Sequence, residues 1–183
     1  MDKFFLHKDD TALVIVDIQD KLATVMKVRD EVVKNCLHLI ELARVLRLPL
    51  IVTEQYPKGL GPTVEEIRGA LPDHKPIEKL TFSCCEEPRF LEEIRGLKKR
   101  NIVLTGMETH ICVLQTCLGL LKEGFHVHVV SDAACSRTKM NWKTGLQFMR
   151  DAGAVVTSTE TVLFQLLNVA GTEEFKAIAK RIK

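Results

Sequence analysis

Apolar runs and amphipathic segments alternate along the whole chain. Six short apolar runs predict β-strands. They are residues 11–18, 50–55, 76–80, 101–106, 126–132 and 154–159. The first run, TALVIVDI, continues without a break up to an acid, which is typical of a strand that is covered on both faces. The pattern therefore predicts a buried sheet.

The intervening and closing segments have the spacing of amphipathic helices. In residues 28–48 apolar side chains recur at intervals of three and four, and Pro49 ends this periodicity. Further helices are predicted at 64–71, 88–97, 110–124, 141–153, 160–168 and 172–183. Strands that alternate with helices favour a parallel sheet with helices on both faces. We therefore expect an α/β protein, a three-layer αβα sandwich with a six-stranded parallel sheet, in one domain over residues 1–183.

Composition and charge narrow the range of partners. Hydrophobic residues make up 46% of the chain and charged residues 27%, as in an ordinary soluble globular protein. The formal net charge is +2 and the basic residues are spread along the chain, so we expect neither nucleic acid nor a membrane as a partner. The first residues contain no apolar stretch of signal-peptide length, and the longest apolar run, 12–16, is too short to span a bilayer. A cytoplasmic location is expected.

The six cysteines carry no recognisable metal or redox motif. They occupy positions 36, 84, 85, 112, 117 and 135, and no two of them have CxxC spacing. In the cytoplasm they would stay reduced. Cys36 lies on the apolar stripe of a predicted helix, where a cysteine is a small buried hydrophobe. Most of these thiols are therefore expected to belong to the core.

Polar residues close the predicted strands, and in parallel sheets ligands collect at that edge. The residues concerned are Asp17, Glu54, Gln55, Lys79, the segment 106–112 and Asp132. Three of them have complementary chemistry: Asp17 is a potential base, Lys79 a cation and Cys112 a nucleophile. We expect the sheet to bring these three side chains to one edge.

Cys112 has the surroundings that a reactive thiol requires. A helix start and a nearby lysine lower the pKa of a thiol below its usual value of about 8.5, and a base takes its proton. Backbone N–H groups after Gly106 can stabilise an oxyanion. Taken singly, each residue has an ordinary alternative: Cys112 in the core, Asp17 as a cap or loop anchor, Lys79 in solvent. Their convergence favours the functional reading, with a lowered pKa for Cys112.

Four motifs, in this order and spacing, resemble the isochorismatase-like cysteine hydrolase superfamily: VIVDIQD, VTEQYPKGLG, EKLTFS and LTGMETHICVLQTCLGLLKEG. The similarity covers nearly the whole chain and is greatest to the small isochorismatase domain-containing proteins, for which TEQYPKGLG and SDAACSR are typical. The resemblance implies a Rossmann-like fold, a catalytic Asp17–Lys79–Cys112 set and a homo-oligomer. It also implies a cis peptide at Met107–Glu108 that turns N–H groups towards the oxyanion.

Two differences from the sequence patterns of the superfamily narrow the range of possible metals and substrates. Nicotinamidases carry an Asp-x-His metal box after the second strand, where this chain has Glu54, Gln55 and Tyr56, and no histidine follows before His74. We therefore expect no metal and no cofactor. Bacterial isochorismatases often lack the cysteine that is present here as Cys112, so the family name does not indicate the substrate.

The expected function is hydrolysis of a small amide or related carbonyl compound, and five residues are assigned to substrate binding. They are Gln19, Glu54, Gln55, Tyr56 and Phe82, with Gln19 equally able to support the loop; Glu108 also contributes to specificity. His110 is not expected to be the base, because side chains two residues apart on a helix diverge. The alternative is a binding or scaffold protein that keeps the fold without turnover. An oxidoreductase is excluded because no glycine-rich turn follows the first strand.

Overall fold

The computed structural model describes residues 1–182 and confirms the α/β fold. The strands are β1 (Thr11–Val16), β2 (Leu50–Gln55), β3 (Ile77–Lys79), β4 (Asn101–Met107), β5 (His126–Cys135) and β6 (Val155–Thr157). The helices are α1 (Asp20–Ala23), α2 (Arg29–Leu46), α3 (Pro57–Leu60), α4 (Glu65–Ala70), α5 (Pro88–Gly96), α6 (Leu114–Lys122), α7 (Lys139–Asp151), α8 (Thr159–Leu167) and α9 (Glu173–Ala179). Of these, only the short helices α1 and α3 had no counterpart in the periodicity.

All six strands are parallel, in the order β3-β2-β1-β4-β5-β6. From β1 the chain builds the sheet outwards through β2 and β3, and it then returns to add β4, β5 and β6 on the other side. The direction of winding therefore reverses between β1 and β4. In such sheets the crevice at the carboxyl ends of these two central strands is the usual ligand site.

Each face of the sheet supports its own hydrophobic core. Successive side chains of a strand point to opposite faces, so Leu13 and Ile15 of β1 join one core while Val14 and Val16 join the other. Helices α2, α8 and α9 cover the first core, and α5, α6 and α7 cover the second. This explains the unbroken apolar run of β1, whose six residues are all buried. None of the helices within residues 1–182 has the length and apolar character needed to cross a membrane.

Strand β5 is longer than the sequence pattern predicted. It continues past Asp132 to Cys135, so Asp132 lies within the strand and does not close it. Its Oδ1 accepts hydrogen bonds from the Thr159 backbone N–H at 2.7 Å and from the Thr159 hydroxyl at 2.9 Å. Asp132 therefore anchors the start of α8. The predicted closing helix also ends earlier, at Ala179, and Lys183 lies outside the described residues.

Candidate active site

Asp17 stands immediately after β1 with its side chain fully buried. Its backbone has a left-handed conformation, φ 52°, which aspartate tolerates better than most residues. The Thr53 hydroxyl donates a hydrogen bond to Oδ1 at 2.7 Å, and Lys79 Nζ donates to Oδ2 at 2.6 Å. Both carboxylate oxygens are thus held in place by donors from β2 and β3.

Lys79 is the last residue of β3 and is 2% exposed. Its ammonium group also donates to Gln55 Oε1 at 2.8 Å and to the carbonyl oxygens of Thr81 and Phe82 at 3.2 and 3.3 Å. Burial lowers the pKa of Lys79, but the charge of Asp17 and the nearby thiols outweigh that effect, so the pKa is raised overall. Lys79 is therefore a buried ammonium group that is charged at neutral pH.

Cys112 lies in a π-helical turn, Thr109–Val113, between β4 and α6, and it is 6% exposed. Such turns are frequent at functional sites. The peptide bond Met107–Glu108, which leads into this turn, is cis. Gly106 lets the end of β4 approach β1: its φ is 131°, and a Cβ there would lie 2.1 Å from the Val16 carbonyl oxygen. That close approach places the turn that carries Cys112 beside Asp17.

The pKa of Cys112 corrects an expectation drawn from the sequence. Burial and the adjacent Asp17 carboxylate raise the pKa of the thiol well above its usual value, and Lys79 opposes them without reversing the direction. The expectation of a lowered pKa was wrong because it weighed the helix start and the lysine but not the desolvation. At rest Cys112 is a protonated thiol close to the Asp17 carboxylate. A nucleophile would form here only as the proton moves to the carboxylate.

Glu108 is turned away from solvent by an arginine that the sequence had not singled out. The carboxylate, 5% exposed, accepts a hydrogen bond from the Arg137 backbone N–H at 2.9 Å and two from Arg137 Nε at 3.2 Å. The Glu108 carbonyl oxygen accepts from the N–H groups of Ile111 and Val113 at 3.0 and 3.3 Å. Glu108 therefore holds the turn that carries Cys112 against the end of β5.

Gln19 supports a loop and offers no free polar atom to a substrate. Its amide nitrogen donates to the carbonyl oxygens of Gln55 and Gly61 at 3.0 and 2.7 Å, and its Oε1 accepts from the Gln55 N–H at 2.7 Å. The side chain is fully buried. Two roles were left open for Gln19, and the structure favours a structural role in the loop over contact with a substrate. Gln55 in turn donates to the Leu80 carbonyl oxygen at 2.7 Å, besides accepting from Lys79.

Glu54 does not join the site, because alternation along β2 directs it to the opposite face from Thr53. Its Oε1 accepts hydrogen bonds from the Thr63 N–H at 2.6 Å and from the Thr63 hydroxyl at 2.7 Å. The proposed contact of Glu54 with substrate is therefore corrected to a loop anchor. Tyr56 and Phe82, in contrast, are about half exposed, at 51% and 53%. Their rings are accessible from solvent on the loops that follow β2 and β3.

Among residues 1–182, no three histidine, cysteine or acidic side chains are grouped so as to hold a metal ion. His74, the first histidine after the second strand, uses its Nε2 to accept the Val52 N–H at 3.1 Å. His110 is paired with Ser136, with 3.0 Å between Nδ1 and the hydroxyl oxygen. Neither histidine contacts the Asp17–Lys79 pair.

Sequence reasoning missed two buried residues that touch this constellation. Thr53 donates to Asp17, as described above, and Cys84 Sγ donates to the Thr53 hydroxyl over 3.7 Å. The signal for Thr53 was available: it lies two residues before the predicted strand end at Gln55, on the same face as Gln55. Cys84 had no such signal, because the loop after β3 has no periodicity that would orient it.

Comparison with known proteins gives a consistent picture. The isochorismatase domain model matches residues 11–161. Isochorismatase domain-containing protein 2 of Xenopus laevis is 40% identical over 178 residues, which cover 97% of this chain and 85% of that protein.

Solved structures are also similar over almost the whole chain. The MAR1 ribonuclease of Caenorhabditis elegans has a TM-score of 0.91 and 38% identity, over 97% of this chain and 92% of that one. Escherichia coli YcaC, described as an octameric hydrolase of unknown specificity, has a TM-score of 0.91 and 26% identity, over 97% and 90%. Pseudomonas aeruginosa YcaC, solved with covalent acrylamide, has a TM-score of 0.91 and 28% identity, over 97% and 91%.

Proposed function

The chain belongs to the isochorismatase family and is a hydrolase, and from that premise we propose that it cleaves a small amide or related carbonyl compound through Cys112, Asp17 and Lys79. The observation that supports this proposal is the buried ion pair of Lys79 and Asp17, 2.6 Å long, close to the Cys112 thiol, on whose pKa both charges act. A cation, a base and a nucleophile meet at the point where the winding of the sheet reverses.

In the first half of the reaction, Cys112 Sγ attacks the substrate carbonyl carbon while its proton passes to Asp17. The carbonyl oxygen becomes an oxyanion, stabilised by backbone N–H groups of the turn after Gly106. Collapse of this intermediate breaks the C–N bond, and the proton held by Asp17 moves to the leaving nitrogen. The products of this half are an amine and an acyl thioester on Cys112.

In the second half, Asp17 accepts a proton from water, and the resulting hydroxide attacks the thioester carbonyl. The C–S bond breaks, the acid leaves, and Cys112 recovers its proton from Asp17. Lys79 stays charged throughout, because its raised pKa keeps the ammonium group protonated. Its role is to hold the Asp17 carboxylate in place and to offset the negative charge that the thiolate brings into a buried site.

Similar proteins support this reading in part. Covalent acrylamide in one structural neighbour is the behaviour that an accessible nucleophile would give, and the octameric neighbour supports a homo-oligomer of this chain. The ribonuclease name of another neighbour is not carried over, since a net charge of +2 without basic clusters favours a small-molecule substrate over RNA. Six unpaired thiols favour the reducing cytoplasm.

The test is a screen of the purified protein against small amides, ureides and thioesters. Turnover should disappear in Cys112→Ala and persist in Cys117→Ala, which removes another buried thiol near the nucleophile without touching Asp17 or Lys79. Activity that survives Cys112→Ala would refute the mechanism. Absence of turnover, together with a Cys112 no more reactive towards iodoacetamide than Cys36, would favour the scaffold alternative.

A further inference from the structure

A chain of buried hydrogen bonds connects the helix of the nucleophile to the carboxylate of the base. Thr116, one helical turn after Cys112, accepts the Cys84 backbone N–H on its hydroxyl oxygen at 3.0 Å. The Cys84 thiol donates to the Thr53 hydroxyl, which donates to Asp17 Oδ1 at 2.7 Å. All four of the linked residues, Thr116, Cys84, Thr53 and Asp17, have 0% exposure. Water therefore cannot replace any link from outside.

Each hydrogen bond in this series has a defined donor and a defined acceptor. A hydroxyl has one proton to give. Burial raises the pKa of Cys84 to about 11, so its sulfur keeps a proton at neutral pH and can act as the donor to Thr53. The Thr53 proton is then directed to Asp17, and Oδ1 must accept it. Asp17 Oδ2 likewise accepts a hydrogen bond from the Lys79 ammonium group.

We propose that Thr53 is the positioning residue of the catalytic base, and that Cys84 sets the direction of its hydroxyl. Thr53 touches neither the reacting thiol nor, in the mechanism above, the substrate; it acts through Asp17. Its hydrogen bond holds the carboxylate in one orientation. In general, a donor to a carboxylate stabilises the form that can receive a proton. This inference rests on the proposed function, because it assigns Asp17 as the base.

The hydrogen bond between Thr116 and Cys84 also connects the loop after β3 to helix α6. Thr116 lies four residues after Cys112, in helix α6, which continues directly from the π-helical turn that carries Cys112. The loop that carries Cys84 is thereby attached to the helix of the nucleophile, and Cys84 attaches it to β2. The distance between base and nucleophile is thus set by side chains that take no part in bond making.

The experiment measures the rate of Cys112 alkylation by iodoacetamide against pH, by peptide mapping of the intact protein. Its acid limb reports protonation of the group that receives the thiol's proton. Thr53→Val keeps the shape and removes the donor, so the acid limb should move to higher pH by about one unit. Thr53→Ser restores a hydroxyl and should return the limb to its original position.

The matched control is Thr105→Val, the same change at another fully buried threonine, whose hydroxyl donates to the Val14 carbonyl oxygen at 3.3 Å. It should leave the limb in place. A limb that does not move in Thr53→Val, or that moves equally in Thr105→Val, would overturn the inference. If Thr53→Val does not fold, Cys84→Ala tests the same chain, with a smaller upward shift expected and an unmoved limb as the contrary result.

Asp17→Asn separates this inference from the proposed function. If the acid limb keeps its native position in Asp17→Asn, the assignment of Asp17 as base fails and the inference fails with it. If the limb moves to lower pH in Asp17→Asn but does not move in Thr53→Val, the base is correct and only the positioning role of Thr53 is wrong.

Discussion

Replacing Lys79 by methionine tests the centre of the site, because it removes the charge while keeping a side chain of similar length. In the native protein the ammonium group has four acceptors, and the side chains of Lys79 and Asp17 are both 0% exposed. Lys79→Met leaves Asp17 as a buried charge with Thr53 as its remaining donor among these contacts. Removing one partner of a buried ion pair costs about 3–5 kcal/mol.

The second arm of the test is Asp17→Asn, which retains the shape of the side chain and tolerates the left-handed backbone at this position. The double variant has neither charge. It should therefore be more stable than the sum of the two single effects predicts, with a coupling energy on the order of 0.5–3 kcal/mol. Urea unfolding followed by circular dichroism measures all four free energies of unfolding. Additive single effects would refute the direct contact between these two groups.

The same variants should move the pKa of Cys112 in opposite directions. Lys79→Met removes the one charge that lowers the pKa of the thiol, so alkylation by iodoacetamide should slow at every pH up to 9. Asp17→Asn removes the negative charge that raises the pKa, so the thiolate should form at lower pH, although turnover is lost with the base. Shifts in the same direction, or no shifts, would refute the arrangement of the three residues as one site.

Further predictions concern the backbone, pH, metal and assembly. Gly106→Ala should destabilise the protein by roughly 4 kcal/mol or more in urea unfolding, because its Cβ would meet the Val16 carbonyl oxygen at 2.1 Å. Gly69→Ala, with no atom within 4 Å of its new Cβ, should instead be neutral or stabilising. Burial lowers the pKa of His128 to about 4, so the unfolded chain binds a proton at a pH where the folded state does not. The free energy of unfolding should therefore fall by about 3 kcal/mol from pH 7 to pH 4. In His128→Val this part of the pH dependence should be absent. Exhaustive chelation should leave stability and activity unchanged, a result that stoichiometric zinc bound near His74 would contradict. Light scattering should show a dimer or larger assembly, and a monomer at micromolar concentration would oppose that expectation.

Much of the fold could be predicted from local patterns. Unbroken apolar runs alternating with amphipathic segments indicated six parallel strands between helical layers, and this architecture is confirmed. The boundaries were less accurate where pairing decides them. β5 runs on to Cys135 because β4 supplies partners there: Gly106 lies beside Ala134 and Met107 beside Cys135. No signal within residues 126–135 could reveal that.

The position of the candidate site also followed from the sequence, since parallel strands end at one edge and Asp17, Lys79 and Cys112 each follow or close a strand. The hydrogen bonds within the site could not be predicted from the sequence. Thr53 reaches Asp17 across 36 residues of chain and Lys79 reaches it across 62. Hydrogen bonds of that range depend on the order of the strands in the sheet. For this reason Gln19 and Glu54 are loop anchors, whereas Thr53 is a hydrogen-bond partner of Asp17.

The sign of the Cys112 pKa shift depends on the same long-range packing. The sequence by itself determined the alternation of strands and helices, the buried sheet and the polar residues at its edge, because periodicity is a local property of the chain. Only the tertiary structure decided that the thiol is buried against a carboxylate, which raises its pKa more than Lys79 lowers it. Desolvation and charge pairing are sums over neighbours in space, and those neighbours exist only once the sheet has formed.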